Sequence, residues 1–147
     1  MKLPSFALPG LLVAVLSIAP LHADDDAFAA LVLATNEADD RPTPKKLEPF
    51  VDDLSRIFGY NTFYLLGSDQ EDIFEGAEEW FVPSDQFFIK TTILERLEAH
   101  YRVKVELYQK RKKVLEVEAK LAMNAPLYIR GPQWGKGQLI MLFSIID

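Results

Sequence analysis

The chain has 147 residues, a formal net charge of −6, 49% hydrophobic and 26% charged residues, and no cysteine. This is the composition of a globular protein of one-domain length, and its acidic balance argues against nucleic acid as a partner, since phosphate binding needs a basic face. The missing thiols exclude disulfide staples, thiol catalysis, thiolate zinc sites, cysteine-held clusters and a lipid-anchored N-terminal cysteine, so buried apolar surface has to supply the stability.

The chain opens with Lys2, an apolar run over residues 8–18, then Pro20-Leu21-His22-Ala23 and three aspartates. A charged start, an apolar core and a small residue before a cut describe a secretory signal peptide over residues 1–23. The run is shorter than the about 20 apolar residues a spanning helix needs, so no transmembrane segment is expected after cleavage. The remaining domain, residues 24–147, would be periplasmic or secreted. Losing Lys2 takes its net charge to −7 and leaves His100 as its histidine.

Asp24 to Asp26 reads as a solvated leader. The apolar run 28–34 fits a buried strand better than a short helix, and 35–44, with Asn, acidic residues and Pro, fits a loop. Leu47, Phe50, Val51, Leu54, Ile57 and Phe58 recur at helical spacing and predict one amphipathic helix, with Pro49 in its first turn and Gly59 ending it. Residues 62–66 predict a strand closed by Gly67. The acidic stretch 69–79 reads as a solvated loop, 80–82 as a short strand and 87–94 as a strand, with a helical turn or two open for 94–100.

Residues 101–107 and 115–121 alternate apolar with charged and predict a hairpin around Lys110-Arg111-Lys112, with Glu and Lys paired across its wet face. A second hairpin joins 127–130 to 138–146 through a loop over residues 131–137. The run Leu139-Ile140-Met141-Leu142-Phe143 is apolar on both faces and belongs in the middle of a sheet covered on both sides. The whole is an α+β fold: one amphipathic helix packed on a mostly antiparallel β-sheet with a C-terminal β-meander. A helix of about 12 residues spans about 18 Å and cannot cover a broad sheet. Either the sheet curls on itself, the preferred expectation, or an apolar face is left for a partner.

Few residue patterns point to chemistry. Gly131 to Gly137 is one residue short of a phosphate loop, has Gly137 where the magnesium-binding hydroxyl belongs, and leads into a strand. Trp134, with Gln133 and Lys136 beside it, is read first as a core residue and second as a stacking platform in a recognition loop. Lys110-Arg111-Lys112-Lys113 is a basic tip on an acidic chain, either a solvated turn or a docking element, with Lys110, Arg111 and Lys112 as the candidate contacts. The acids between Asp69 and Glu79 lack the ordered alternation of a calcium loop. His100 is expected in an exposed turn, and no serine sits in a strained Gly-x-Ser-x-Gly elbow. No catalytic, metal or cofactor residue is assigned.

The segment Pro126-Leu127-Tyr128-Ile129-Arg130-Gly131-Pro132 with Trp134, Gly137 and Leu139-Ile140, and upstream Phe58-Gly59-Tyr60 and Phe63-Tyr64-Leu65-Leu66, resembles small exported bacterial proteins of unassigned function. The resemblance brings no site with it. The expected function is a non-catalytic interaction or assembly module of the bacterial cell envelope, with another envelope protein or a second copy as partner and no cofactor. The alternatives are a small extracytoplasmic hydrolase using paired carboxylates, and a ligand carrier or inhibitor using the Trp134 loop.

Overall fold

A computed structural model describes residues 25–81 and 83–147. The signal peptide expected over residues 1–23 lies outside the described residues. Eight strands follow one another as Asp25–Thr35 (β1), Thr62–Ile73 (β2), Glu78–Phe81 (β3), Phe87–Arg96 (β4), His100–Gln109 (β5), Lys112–Ala122 (β6), Leu127–Trp134 (β7) and Gly137–Ile146 (β8). They form two four-stranded sheets, β2-β1-β8-β7 and β3-β4-β5-β6, antiparallel throughout. The first is called the central sheet below and the second the meander sheet.

The expectation of one curled sheet is thus corrected. The apolar surplus of the central sheet is met by a second sheet made from the middle of the chain. β1 and β8 are the two inner strands of the central sheet, and both are apolar on alternate residues in both directions. Ala27, Ala29, Leu31, Leu139, Met141, Phe143 and Ile145 face the meander sheet. Phe28, Ala30, Val32, Ala34, Ile140 and Leu142 face the helix. Strands buried on both sides have no use for a polar period, which is why these two read as unbroken apolar runs. Between the sheets Phe143, opposite the small Ala29 in β1, meets Phe81 edge-on at 5.8 Å between ring centroids.

The helix is shorter than its apolar stripe. Glu48–Phe50 forms a 3-10 turn with Pro49 in it, and the α-helix proper, α1, spans Val51–Phe58. Proline costs little there because first-turn N–H groups have no helical partner. Gly59 ends the helix at φ +74°, its N–H bonded to the Ser55 carbonyl at 2.9 Å. Leu47 and Leu54 are fully buried against the central sheet, and Phe50 stacks on Phe28 at 6.1 Å. Ile57, the next residue of the stripe, is 49% exposed, whereas Phe58 after it packs back on the sheet, edge-on to Tyr128 at 6.2 Å.

Several loop expectations are corrected. Asp25 and Asp26 belong to β1, where the Tyr101 hydroxyl donates to Asp25 and Arg96 lies 3.4 Å from it. The acidic stretch 69–79 is mostly strand: β2 runs on to Ile73 and β3 begins at Glu78. Charged residues persist in these strands because both are sheet edges with a wet side. Residues 94–96 continue β4 rather than turning helical. His100 is the half-buried first residue of β5, not an exposed turn residue. Residues 131–134 belong to β7, so the second hairpin turns on Gly135 and Lys136 alone.

Candidate functional site

Two hairpin turns, one from each sheet, meet at one end of the sandwich. Phe87 opens β4 and pairs with Gln109, which closes β5. Lys110 and Arg111 form the turn that follows, and Lys112 opens β6 opposite Gln109. The backbone N–H of Lys110 donates to the Gln86 carbonyl at 2.7 Å, tying this turn to the 83–86 loop. From the central sheet, Trp134 at the end of β7 sets its ring edge-on to Phe87 at 6.3 Å. The two segments singled out in the sequence, 110–112 and 133–136, therefore converge.

Beside Trp134, and against the 84–87 segment that the 110–111 turn touches, lies a cleft of about 220 Å³; Lys110, Arg111, Lys112, Gln133 and Lys136 do not line it. Leu31, Phe87 and Leu139 form its buried floor, and Leu66 and Trp134 its apolar rim, 46% and 44% exposed. Trp134 is therefore not a core residue. Asp85 and Gln86 add polar groups to the wall. Lys110, Arg111 and Lys112 are all exposed and make no ion pair among the described residues. Lys136, in the neighbouring turn, stands 3.9 Å from Glu37, and Gln133 pairs with Gln138.

Two bulges shape the rim. Leu31 pairs with Gly67 and Val32 with Leu65, so Leu66 is the extra residue of β2. Across the cleft the β7–β8 register slips between Arg130 and Gln133, around Gly131 and Pro132. A bulge bends its strand and redirects a side chain, and it leaves backbone groups without ladder partners. The buried Gln138 side-chain amide supplies those bonds, donating to the carbonyls of Gly131, Pro132 at 3.3 Å and Leu139 at 3.0 Å. Gly67 lets the 83–86 loop lie on β2, since a Cβ there would fall 1.3 Å from the Pro83 carbonyl oxygen. Sequence reasoning missed Leu66 and Gln138. The signals were Gly67 inside a strand and Gly131-Pro132 inside another.

The chain matches no family model, no curated protein and no solved structure.

Other polar clusters have structural explanations. Asp39 accepts from Arg41 Nε at 2.9 Å and from the Tyr64 hydroxyl at 2.5 Å. The Arg41 bonds, and then the tyrosine, hold its carboxyl well below the usual range. On the outer face of the meander sheet an ion-pair ladder crosses all four strands: Glu78 to Lys90 at 2.9 Å, Lys90 to Glu106 at 3.9 Å, Glu106 to Lys113 at 3.0 Å and Lys113 to Glu116 at 3.1 Å. Trp80, Phe88 and Tyr108 pack beside it. Glu106 is buried at 5% exposure and its carboxyl is lowered, first by the Lys113 hydrogen bond. A carboxylate acting as general acid at neutral pH needs the opposite displacement. Among the described residues no group of three or more side chains could hold a metal ion, and no helix is long and apolar enough to cross a membrane.

Proposed function

We propose that this chain is an exported, non-catalytic interaction module of the bacterial cell envelope that meets its partner with the Trp134 end of the sandwich. The observation that carries this reading is that half-exposed Trp134 and Leu66 and the exposed Lys110-Arg111-Lys112 turn of an otherwise acidic chain flank the same 84–87 segment at one end of the sandwich. Aromatic anchors ringed by charge are the usual energetic centre of a binding surface, and opposite charge speeds encounter. Two bulges, a buried glutamine and a steric glycine hold the rim in place, as preorganised contacts require.

A ligand carrier using the Trp134 loop is less well supported, because its cleft of about 220 Å³ falls short of the about 300 to 1,000 Å³ of ligand sites. Carboxylate hydrolysis is disfavoured by the downward displacement of both Asp39 and Glu106. Export is supported by the N-terminal charge-apolar-small pattern, and N-terminal sequencing of the protein from its host should then begin at Asp24.

The test places a photo-crosslinking residue at position 134 and, as control, at position 80, on the outer face of the meander sheet. In envelope extract the first should give a discrete adduct that the Lys110→Glu/Arg111→Glu/Lys112→Glu variant loses, while the second gives none. Equal labelling from both positions, or an adduct indifferent to the basic tip, refutes the reading.

A further inference from the structure

β6 is a free edge, and its pattern is complementary to itself. It is the last strand of the meander sheet, 11 residues long, without proline or glycine. Its inward residues Leu115, Val117 and Ala119 face the sandwich interior, yet none is buried, and Leu115 is 37% exposed. The edge strand opposite, β7, is only 8 residues long and bulged, so it leaves this flank open. A long unpaired edge with apolar residues beneath it is a template for another strand.

We propose that a second copy of this chain pairs with β6 through its own β6, antiparallel, about a twofold axis at Ala119. In that register Val117 lies opposite the partner's Leu121, and Ala119 opposite its own counterpart, all on the inward side. On the outward side Glu118 lies opposite the partner's Lys120, twice by symmetry. Centring the pairing on Val117 sets Glu116 against Glu118. Centring it on Glu118 sets that residue against itself, and like charges directly opposite are destabilising. The match at Ala119 is therefore specific in charge as well as in hydropathy, and it is isologous, as twofold interfaces must be.

The chain's own pairings leave these charges unmet. Lys120 faces Arg102 across β5–β6, like against like, and Arg102 turns instead to Glu95 at 3.4 Å. Glu118 faces Lys104, whose Nζ lies 4.0 Å from Glu116. Neither Glu118 nor Lys120 has an ion-pair partner among the described residues, and a second copy supplies one to each. Antiparallel pairing also sends the two Trp134 ends in opposite directions. The dimer would thus be a two-headed bridge, with its basic tips about 50 Å apart along the strands.

The experiment uses the full exported chain and measures mass in solution by light scattering over a concentration series. The expected result is a concentration-dependent dimer. Glu118→Lys and Lys120→Glu each set two like charges opposite one another and should weaken it by tenfold or more. The double exchange restores the match and should restore the dimer. Because the chain has no cysteine, Ala119→Cys gives a second readout, a symmetric disulfide on mild oxidation that Val114→Cys does not form. A monomer at every concentration, single variants that dimerise like the parent, or a double exchange that fails to recover would each overturn the proposal. All the exchanged charges are exposed, so unchanged melting separates loss of pairing from loss of fold. Position 134 lies on β7 and the pairing about Ala119 uses residues 116–122, clear of Lys110, Arg111 and Lys112, so the functional reading stands or falls separately.

Discussion

Replacing Leu54 with alanine should cost far more than replacing Ile57, although both belong to one apolar stripe on one helix. Leu54 is fully buried between α1 and the central sheet, whereas Ile57 is 49% exposed. Leu54→Ala removes three carbons from a fully buried position in the cluster between helix and sheet, which includes the short side chains of Ala30, Val32 and Ala34 as well as Phe63, Ile140 and Leu142. Buried Leu→Ala changes cost 2–5 kcal/mol, and α1 can settle partway onto the sheet, so about 3 kcal/mol is expected here. At about 0.25 kcal/mol/K of unfolding entropy for a domain of about 120 residues, that lowers Tm by about 12 °C. Ile57→Ala gives up half as much buried surface and gains helix propensity, for a cost of about 0.5 kcal/mol or about 2 °C. Urea and thermal unfolding followed by circular dichroism measure both. Equal shifts for the two variants, or less than about 1 kcal/mol for Leu54→Ala, would refute the claim that Leu54 rather than Ile57 anchors the helix.

Further outcomes follow from the site and the titrating groups. Gln138→Leu leaves the bulge carbonyls without their donor and should cost about 1–3 kcal/mol, with a shift in Trp134 fluorescence measured in a Trp80→Phe background. Gly67→Ala drives a Cβ into the Pro83 carbonyl and should either abolish folding or displace the 83–86 loop, visible as altered amide exchange there. In acid, Glu106 and Asp39 have folded-state titration below that of the unfolded chain. Their contribution is complete above about pH 4.5 and fades as pH falls through the folded-state values. Lys113→Met should flatten the acid limb of a stability–pH curve. In alkali the sign is reversed: Tyr101 and Tyr128 are pushed up to about 12, chiefly by burial. Their contribution holds below about pH 10, where the unfolded phenols begin to ionise, and is lost as pH rises toward 12. Tyr128→Phe should move the alkaline midpoint upward.

Period and polarity carried much of this fold in advance. The alternation of residues 101–107 and 115–121 gave β5 and β6. The two-faced apolar run 139–143 gave an inner strand, and the stripe from Leu47 to Phe58 gave the helix. The partition into two sheets was hidden, because alternation records how many faces are buried and not what covers them. Strands made of acids, such as the end of β2, were also hidden: at a sheet edge the ladder needs only backbone, and charge on the wet side is compatible with either strand or loop. Trp134, Gln133, Lys136, Lys110, Arg111 and Lys112 could each be singled out as candidates, but no local pattern told that the two turns share one end. That depended on the Lys110–Gln86 bond and the Phe87–Trp134 contact, which are tertiary. Leu66 was out of reach for a different reason, since its exposure comes from a register slip rather than from its neighbours in the chain.

The position of β8 has a consequence for how the molecule comes into being. β8, the eighth strand in chain order, is wedged between β1 and β7, with its side chains closing both apolar layers. Until residues 137–146 arrive, β1 has a neighbour on one flank only and β7 has none. Residues 137–146 are therefore the keystone that joins the β1–β2 pair to β7 in one sheet.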